Sequence, residues 1–331
     1  MAIILSYLKQ LFLFSTLAFL AGVIFTLLFT NPSNQAAGQL PHDDRYIIRR
    51  IEGRQFVRPV ISVMQAEESP TYAPLKQKLV ATIDNLKKNH GVSHVSIFMQ
   101  DFDKGRWLSI SPEERYRPAS LLKLALLLAV LQTESESPGF LDKSLTLRPQ
   151  DTVGSQHQVF ESEGIRVGRP YTVRQLLESM SMHSDNNAAR LLGANIDRNA
   201  ISKLFGELGL PDVNFDRTQY LLTAAEVSMM MKAIFDSPLL GIDKSEYAAS
   251  LLHNGRFEKG FTNAFPPSTK IWHKFGEWND VSGVFELHQT AIFYIADKPY
   301  LLTVMTRGND PQQLAEALEA LAEVVYGMLS A

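Results

Sequence analysis

The sequence predicts an α/β protein, an α+β sandwich in which one antiparallel sheet lies under the terminal helices and a helical insert makes a second lobe. Three observations lead there. An amphipathic helix and a β-hairpin open the folded part of the chain. Three strands and a long helix close it. Between them, residues 119–252 read as helical almost throughout.

Taken in order, residues 1–9 form a short N-terminus whose only basic residue is Lys9. Residues 10–30 contain the uncharged run "LFLFSTLAFLAGVIFTLLFT". About 20 apolar residues are what a helix needs to cross the hydrocarbon core of a bilayer. A soluble buried helix of that length would carry a polar stripe, and this one has none. Lys9 before the run places residues 1–9 in the cytoplasm and the remainder outside. The rival is a cleaved signal peptide cut at "AAG", Ala36–Gly38. Signal cores are usually about 7–15 residues, so an uncleaved single-pass anchor in the cell membrane is favoured over a secreted product. Residues 31–71 read as a linker or stalk with one short segment packing on the main domain. Within it Arg49, Arg50, Arg54 and Arg58 suit anionic lipid headgroups, although a solvated charged stretch is the simpler reading.

The folded domain is expected over residues 72–331. "LKQKLVATIDNLKKNHG" spaces Leu75, Leu79, Ile83 and Leu86 at helical intervals and stops at Gly91. "VSHVSIFMQDFDKGRWLSI" alternates around "DKG" as a β-hairpin does. After the helical region come "STKIWHKFG", "TAIFYIAD" and "YLLTVMTRG", three strands, the last two joined at Lys298–Pro299. "DPQQLAEALEALAEVVYGML" is a terminal helix of good helix formers. A site in such a protein belongs between the lobes.

Composition removes several function classes. The 331 residues carry a net charge of −3 and no basic excess, which argues against a nucleic-acid partner. With no cysteine there is no disulfide, thiolate zinc site or cysteine nucleophile. The eight histidines are scattered, and His90 and His94 straddle Gly91 outside any clean helix, so no metal is expected. Neither a dinucleotide nor a phosphate loop is present. No cofactor is expected.

Three short motifs carry chemistry. "RPASLLKLALLLAVL" puts Ser120 and Lys123 on one helix face, one turn apart, where a lysine can take a serine proton. The spacing alone is a weak signal, since Ser6 and Lys9 repeat it to no purpose. Yet Lys123 opens a helix that continues "LALLLAVL", and a lysine at a buried helix end needs a partner or a task. "SMHSDNNAARLL" supplies Ser184, Asp185 and Asn186. These make a cap and first-turn acid, or a proton relay beside an amide that binds a carbonyl. "WHKFGEW" supplies Lys274 and then Gly276, where a substrate backbone can approach a strand edge closely.

Ser-x-x-Lys, Ser-Asp-Asn and Lys-x-Gly in this order are the motif set of class A β-lactamases and penicillin-binding proteins. From about Tyr72 to the C-terminus the chain resembles that family, and the flanks "SISPEERYRPASLLKLALLLAV" and "VGRPYTVRQLLESMSMHSDNNAARLLG" agree. The resemblance implies a β-lactamase/transpeptidase-like fold with a five-stranded antiparallel sheet. It implies Ser120 as nucleophile, Lys123 as general base, and Ser184 passing a proton to the leaving nitrogen. Asn186 would orient the substrate amide. Lys274 would bring positive charge to a substrate carboxylate and to Ser184. The backbone N–H groups of Ser120 and Glu277 would form an oxyanion hole. His288, ahead of the strand beside Lys274, is a further candidate for the cleft, with a plain packed histidine as the alternative.

Two departures bear on function. The family's deacylating loop, with its Glu-x-x-x-Asn pattern, is cut short in "LGLPDVNFDRTQYLLTAAEVSMMM". Gln219 stands near where the glutamate would come, and a glutamine cannot take a proton from water. Glu226 is the nearest alternative base. Phe275 stands where the family has Thr or Ser, so a hydroxyl for the substrate carboxylate is missing. Expected partners are a small-molecule β-lactam or a peptidoglycan stem peptide, and the membrane through the anchor. The expectation is an acyl-enzyme former with slow deacylation. Its rivals are a cell-wall D,D-peptidase or transpeptidase and a non-catalytic module binding peptidoglycan or another protein.

Overall fold

The computed structural model describes residues 46–51, 59–153, 159–160, 163–211 and 220–331. The expected anchor over residues 10–30, Arg54, Arg58 and Gln219 lie outside the described residues. Among the described residues no helix is long and apolar enough to cross a membrane.

Helix α1 (Ala73–Asn89) buries Leu75, Leu79, Ile83 and Leu86 along one stripe. Two residues after the helix ends, the chain turns away at Gly91, whose φ of +59° is the left-handed conformation that favours glycine. Strands β3 (Val92–Asp101) and β4 (Trp107–Ile110) form the expected hairpin. A tight turn at Ala119–Leu122 runs straight into α2 (Lys123–Glu136). This helix is buried from Lys123 to Leu131 except at Leu126, because it runs through the centre of the helical lobe. That lobe also contains the small pair β5 (Ser144–Thr146) and β6 (Pro170–Thr172), then α3 (Val173–Met182), α4 (Asn186–Gly193) and α5 (Arg198–Leu208). Helices α6 (Ala224–Phe235) and α7 (Ile242–His253) complete it, and the short α8 (Phe261–Ala264) leads back to the sheet.

Strands β7 (Ile271–Asn279), β8 (Phe285–Ile295) and β9 (Lys298–Gly308) and helix α9 (Pro311–Leu329) finish the chain. These three strands join β3 and β4 in one antiparallel sheet in the order β4-β3-β9-β8-β7. The β8–β9 turn falls at Ala296 and Asp297, two residues before the expected Lys298–Pro299 join. Both turn residues have positive φ, +48° and +62°, the backbone hand that matches the twist of the paired strands. One sheet face packs Ile97, Met99, Leu302 and Val304 against α1 and α9. Leu301, Met305 and Ile292 on the other face join the core of the helical lobe. Central strand β9 is therefore apolar on both faces, which is why it reads as a continuous run instead of alternating.

Part of the segment read as a linker or stalk takes up regular structure. Strands β1 (Tyr46–Arg50) and β2 (Val60–Gln65) pair as a second, two-stranded sheet. Trp107 donates its ring N–H to Gln65 O at 2.7 Å, and Gln100 donates to Val63 O at 2.8 Å. Ile51 and Ile61 are buried in the core of the helical lobe. Too few apolar residues alternate in this segment to signal strands; its partners are distant residues of the main sheet.

Candidate active site

Four of the sequence-selected side chains meet in one connected chain of hydrogen bonds. The turn before α2 carries Ser120, half-exposed, directly after Ala119, whose φ is +49°. One turn on, the Lys123 amine lies 2.9 Å from Ser120 Oγ and 3.1 Å from Ser184 Oγ. It also contacts Asn186 Oδ1 at 2.7 Å and the Ser184 carbonyl. Lys274, from β7, donates to Ser184 Oγ at 2.8 Å.

Each position has a local cause. Ser184 sits at φ +56° between α3 and α4, and this left-handed kink turns its hydroxyl toward both lysines. Asp185 is the N-cap of α4 and accepts from Asn187 N at 2.8 Å. It also holds Ile165 N and Ser179 Oγ, each at 2.9 Å. The acid of the Ser-Asp-Asn motif is therefore a brace, and the serine before it is the residue whose hydroxyl meets both lysines. Gly276 lets edge strand β7 lie on the turn that carries Ser120. A Cβ there would come within 2.7 Å of Pro118 O and 3.0 Å of Leu121 N.

Burial sets the electrostatics. It lowers the Lys123 amine to about 7, against smaller upward pulls from Asp185 and Glu277. A lysine near 7 is substantially neutral at physiological pH and has a lone pair for the Ser120 proton. Burial also takes Lys274 well below its usual value, and the neighbouring Lys123 pushes the same way. Lys274 donates to Ser184 Oγ and to Phe275 O at 2.9 Å, and its Nζ lies 4.4 Å from the centroid of the Phe275 ring.

The substrate-binding expectations divide. Gly276 and Asn186 lie in the cluster described above. The Glu277 side chain does something the sequence did not signal: its carboxylate accepts from Val159 N at 2.9 Å and Phe160 N at 3.2 Å, joining β7 to the opposite wall of the cleft. Burial raises its pKa against these bonds. His288 is a correction. It is fully buried, its Nε2 faces Arg117 O at 3.0 Å, and its Nδ1 accepts from Thr306 N at 3.2 Å. Both ring nitrogens thus face backbone groups, and the fully buried imidazole packs behind the turn that carries Ser120. Glu226 is likewise occupied: it closes the capping box of α6 with Thr223 and pairs with Arg115 at 3.0 Å. Among the described residues no cluster of three or more metal-ligating side chains occurs.

A cavity of about 400 Å³ is lined by Phe160, Met182, His183, Phe257 and Phe275, with Arg256 and Glu163. Phe275 stacks on Phe257 with centroids 4.1 Å apart and planes at 12°. Phe160 meets Phe257 edge-on at 5.3 Å. Only the Phe275 part of this wall was visible as a departure in sequence; Phe257 lies in a loop between helices with no motif around it.

Comparison with known proteins gives a consistent picture. A family model described as the beta-lactamase enzyme family matches residues 76–329. The ROB-1 β-lactamase of Haemophilus influenzae is 29% identical over 126 residues, covering 38% of this chain and 38% of that protein. The chain thus matches well under half the length of this curated relative. A β-lactamase structure from Xanthomonas campestris superposes with a TM-score of 0.65 at 20% identity, over 77% of this chain and 98% of that one. A mutant of PBP-A, solved as an acyl-enzyme complex with penicillin G, gives 0.63 at 17% identity over 77% and 97%. At these identities the structures speak for the fold.

Proposed function

Because the chain belongs to the beta-lactamase enzyme family, we propose that it is a membrane-anchored, extracytoplasmic serine hydrolase that forms an acyl-enzyme on Ser120 and releases it slowly. Its substrates in this reading are β-lactams or amides of the D-alanyl peptide type. One observation carries the proposal: an unbroken relay from Ser120 Oγ through Lys123 and Ser184 to Lys274, with links of 2.9, 3.1 and 2.8 Å. A binding module has no use for a buried lysine held near neutrality beside a half-exposed serine.

The chemistry follows the relay. Neutral Lys123 takes the Ser120 proton as Oγ attacks the carbonyl carbon. Backbone N–H groups of Ser120 and Glu277 receive the developing oxyanion. The C–N bond breaks, and the leaving nitrogen takes a proton that passes from Lys123 through Ser184. Asn186 has its oxygen on Lys123, so its amide N–H groups are what it offers to a substrate carbonyl. No step calls for a cofactor. Water must then cleave the ester without the family's loop glutamate, and general-base help of that kind is worth about 10²–10⁴ in rate. The uncharged run at residues 11–30 supports the anchor and the extracytoplasmic placement.

Intact-protein mass after exposure to a labelled penicillin tests this reading. The expected result is a single adduct that persists for minutes or longer, is absent in Ser120→Ala and forms much more slowly in Lys123→Ala. Steady multiple turnover would refute slow release, and absence of any Ser120 adduct with β-lactam or ester would refute the acyl-transfer reading.

A further inference from the structure

Ala119, directly before Ser120, has a φ of +49°, a left-handed conformation that an alanine adopts only at a cost. Such strain persists where the surroundings over-determine the backbone, and it sets the direction of the side chain that follows. Pro118, the residue before, has no N–H to be held by, and its carbonyl accepts from Leu121 N at 2.9 Å within the turn itself. The nearest residue upstream that can be held from outside by both of its backbone groups is Arg117.

Strand β8 supplies that hold. The Glu286 carboxylate accepts from Arg117 N at 2.9 Å, and His288 Nε2 stands 3.0 Å from Arg117 O. Because His288 Nδ1 accepts from Thr306 N at 3.2 Å, the ring proton sits on Nε2 and is donated to Arg117 O. Both side chains are buried, and on the sheet they lie beside Trp278 and Gly276, their partners on β7. Arg307 of β9, paired with Glu286, donates to the other oxygen of that carboxylate at 2.8 Å and to Arg115 O at 2.8 Å. Between these points Tyr116 exchanges both backbone bonds with Leu222, at 3.0 and 2.9 Å. Every polar backbone group from Arg115 O to Arg117 O thus has a partner, and the approach to Ala119 is fixed.

We propose that Glu286 and His288 are positioning residues for Ser120. By holding both backbone groups of Arg117 they keep Ala119 left-handed, and the turn then aims Ser120 Oγ at the Lys123 amine, 2.9 Å away. Both act through the backbone of the turn. For His288 the working atom is Nε2, while Nδ1 serves the β8–β9 pairing. The proposal rests on the acyl-transfer reading at Ser120.

The test separates the two nitrogens of His288 in the full chain. In His288→Asn the amide oxygen can replace Nδ1 as acceptor for Thr306 N, but the side chain is too short to reach Arg117 O. In His288→Gln the longer amide can donate to Arg117 O in place of Nε2. The rate of Ser120 adduct formation with a labelled penicillin or a phenyl ester is read by intact mass, and thermal melting reports the fold. His288→Asn should acylate about 10² more slowly, the scale of a 1 Å misplacement, and His288→Gln should stay within about tenfold of wild type. Measured against Ala119→Gly alone, the loss in the Ala119→Gly/His288→Asn double variant should be at least about fivefold smaller, because glycine takes the left-handed turn without strain. A packing role alone would give the same loss in both backgrounds. Glu286→Gln, which leaves one acceptor oxygen for two donors, should show the same coupling to Ala119→Gly and decides the matter if His288→Asn does not fold. Equal losses in both backgrounds, or a His288→Gln slower than His288→Asn, overturns the proposal while leaving acylation of Ser120 intact. If neither probe acylates the wild type, the acyl-transfer reading falls and the positioning role with it.

Discussion

Lys123 would be a cation in water, and burial in this cleft weakens its hold on the proton. Its amine, lowered to about 7, loses its proton within the physiological range. Acylation of Ser120 by an uncharged ester should therefore rise about tenfold per pH unit below about 7 and level off above it. Lys123→Arg should lose the response together with about 10²–10⁴ of the rate, because a guanidinium stays protonated. A flat profile between pH 5 and 8 in the wild type would mean that another group takes the Ser120 proton. His288 teaches the opposite lesson at the same scale. A histidine next to a catalytic strand looks functional in sequence, yet both of its nitrogens face backbone.

Secondary-structure elements decide how close these groups come. Edge strand β7 can lie on the turn that carries Ser120 only because residue 276 has no Cβ. Gly276→Ala should push the strand off the turn, and a displacement on the scale of 1 Å costs about 10² in acylation rate. An unchanged rate in this variant would show that the strand can yield without harm. Beneath the β1–β2 sheet, the buried Lys232 amine donates to Gln100 Oε1 at 2.6 Å, while Gln100 holds Val63 O. Burial lowers Lys232 to about 8. Gln100→Leu should cost about 2–3 kcal/mol in urea denaturation, since it leaves a buried amine without its acceptor. Adding Lys232→Met should recover most of that loss; no recovery would place the effect in the Val63 bond instead.

At the scale of the molecule, every residue of the proposed site lies in the unit Arg45–Ala331. A chain beginning at Arg45 should leave the membrane fraction and acylate at the full rate, whereas the full chain should stay in a high-salt-washed pellet. A soluble full chain whose N-terminus reads Gln39 would establish signal cleavage in place of an anchor. Starting instead at Glu67 removes β1 and β2, and with them the buried Ile51 and Ile61. Full burial of such a side chain is worth about 1.5–3 kcal/mol, so this shorter form should melt at a clearly lower temperature.

Much of this was legible along the chain. The stripe Leu75–Leu86 announced α1, alternation around "DKG" announced the hairpin, and good helix formers after Pro311 announced α9. Such periods are local, set by 3.6 residues per turn or two per pleat. Ser120, Lys123, Ser184 and Lys274 were legible because they stand in three motifs that the family carries in this order. What the sequence by itself determined was thus the order of elements, the motif set and the family it implies. Only the tertiary structure decided what those groups touch. It turned Asp185 into a brace, drew Glu277 across to Val159 and Phe160, bonded Lys274 to Ser184, and set Phe257 under Phe275. It also made a sheet of a segment that reads as a stalk. The reason is physical: these contacts join residues far apart in the chain, and their energies depend on burial and distance, which no local period encodes.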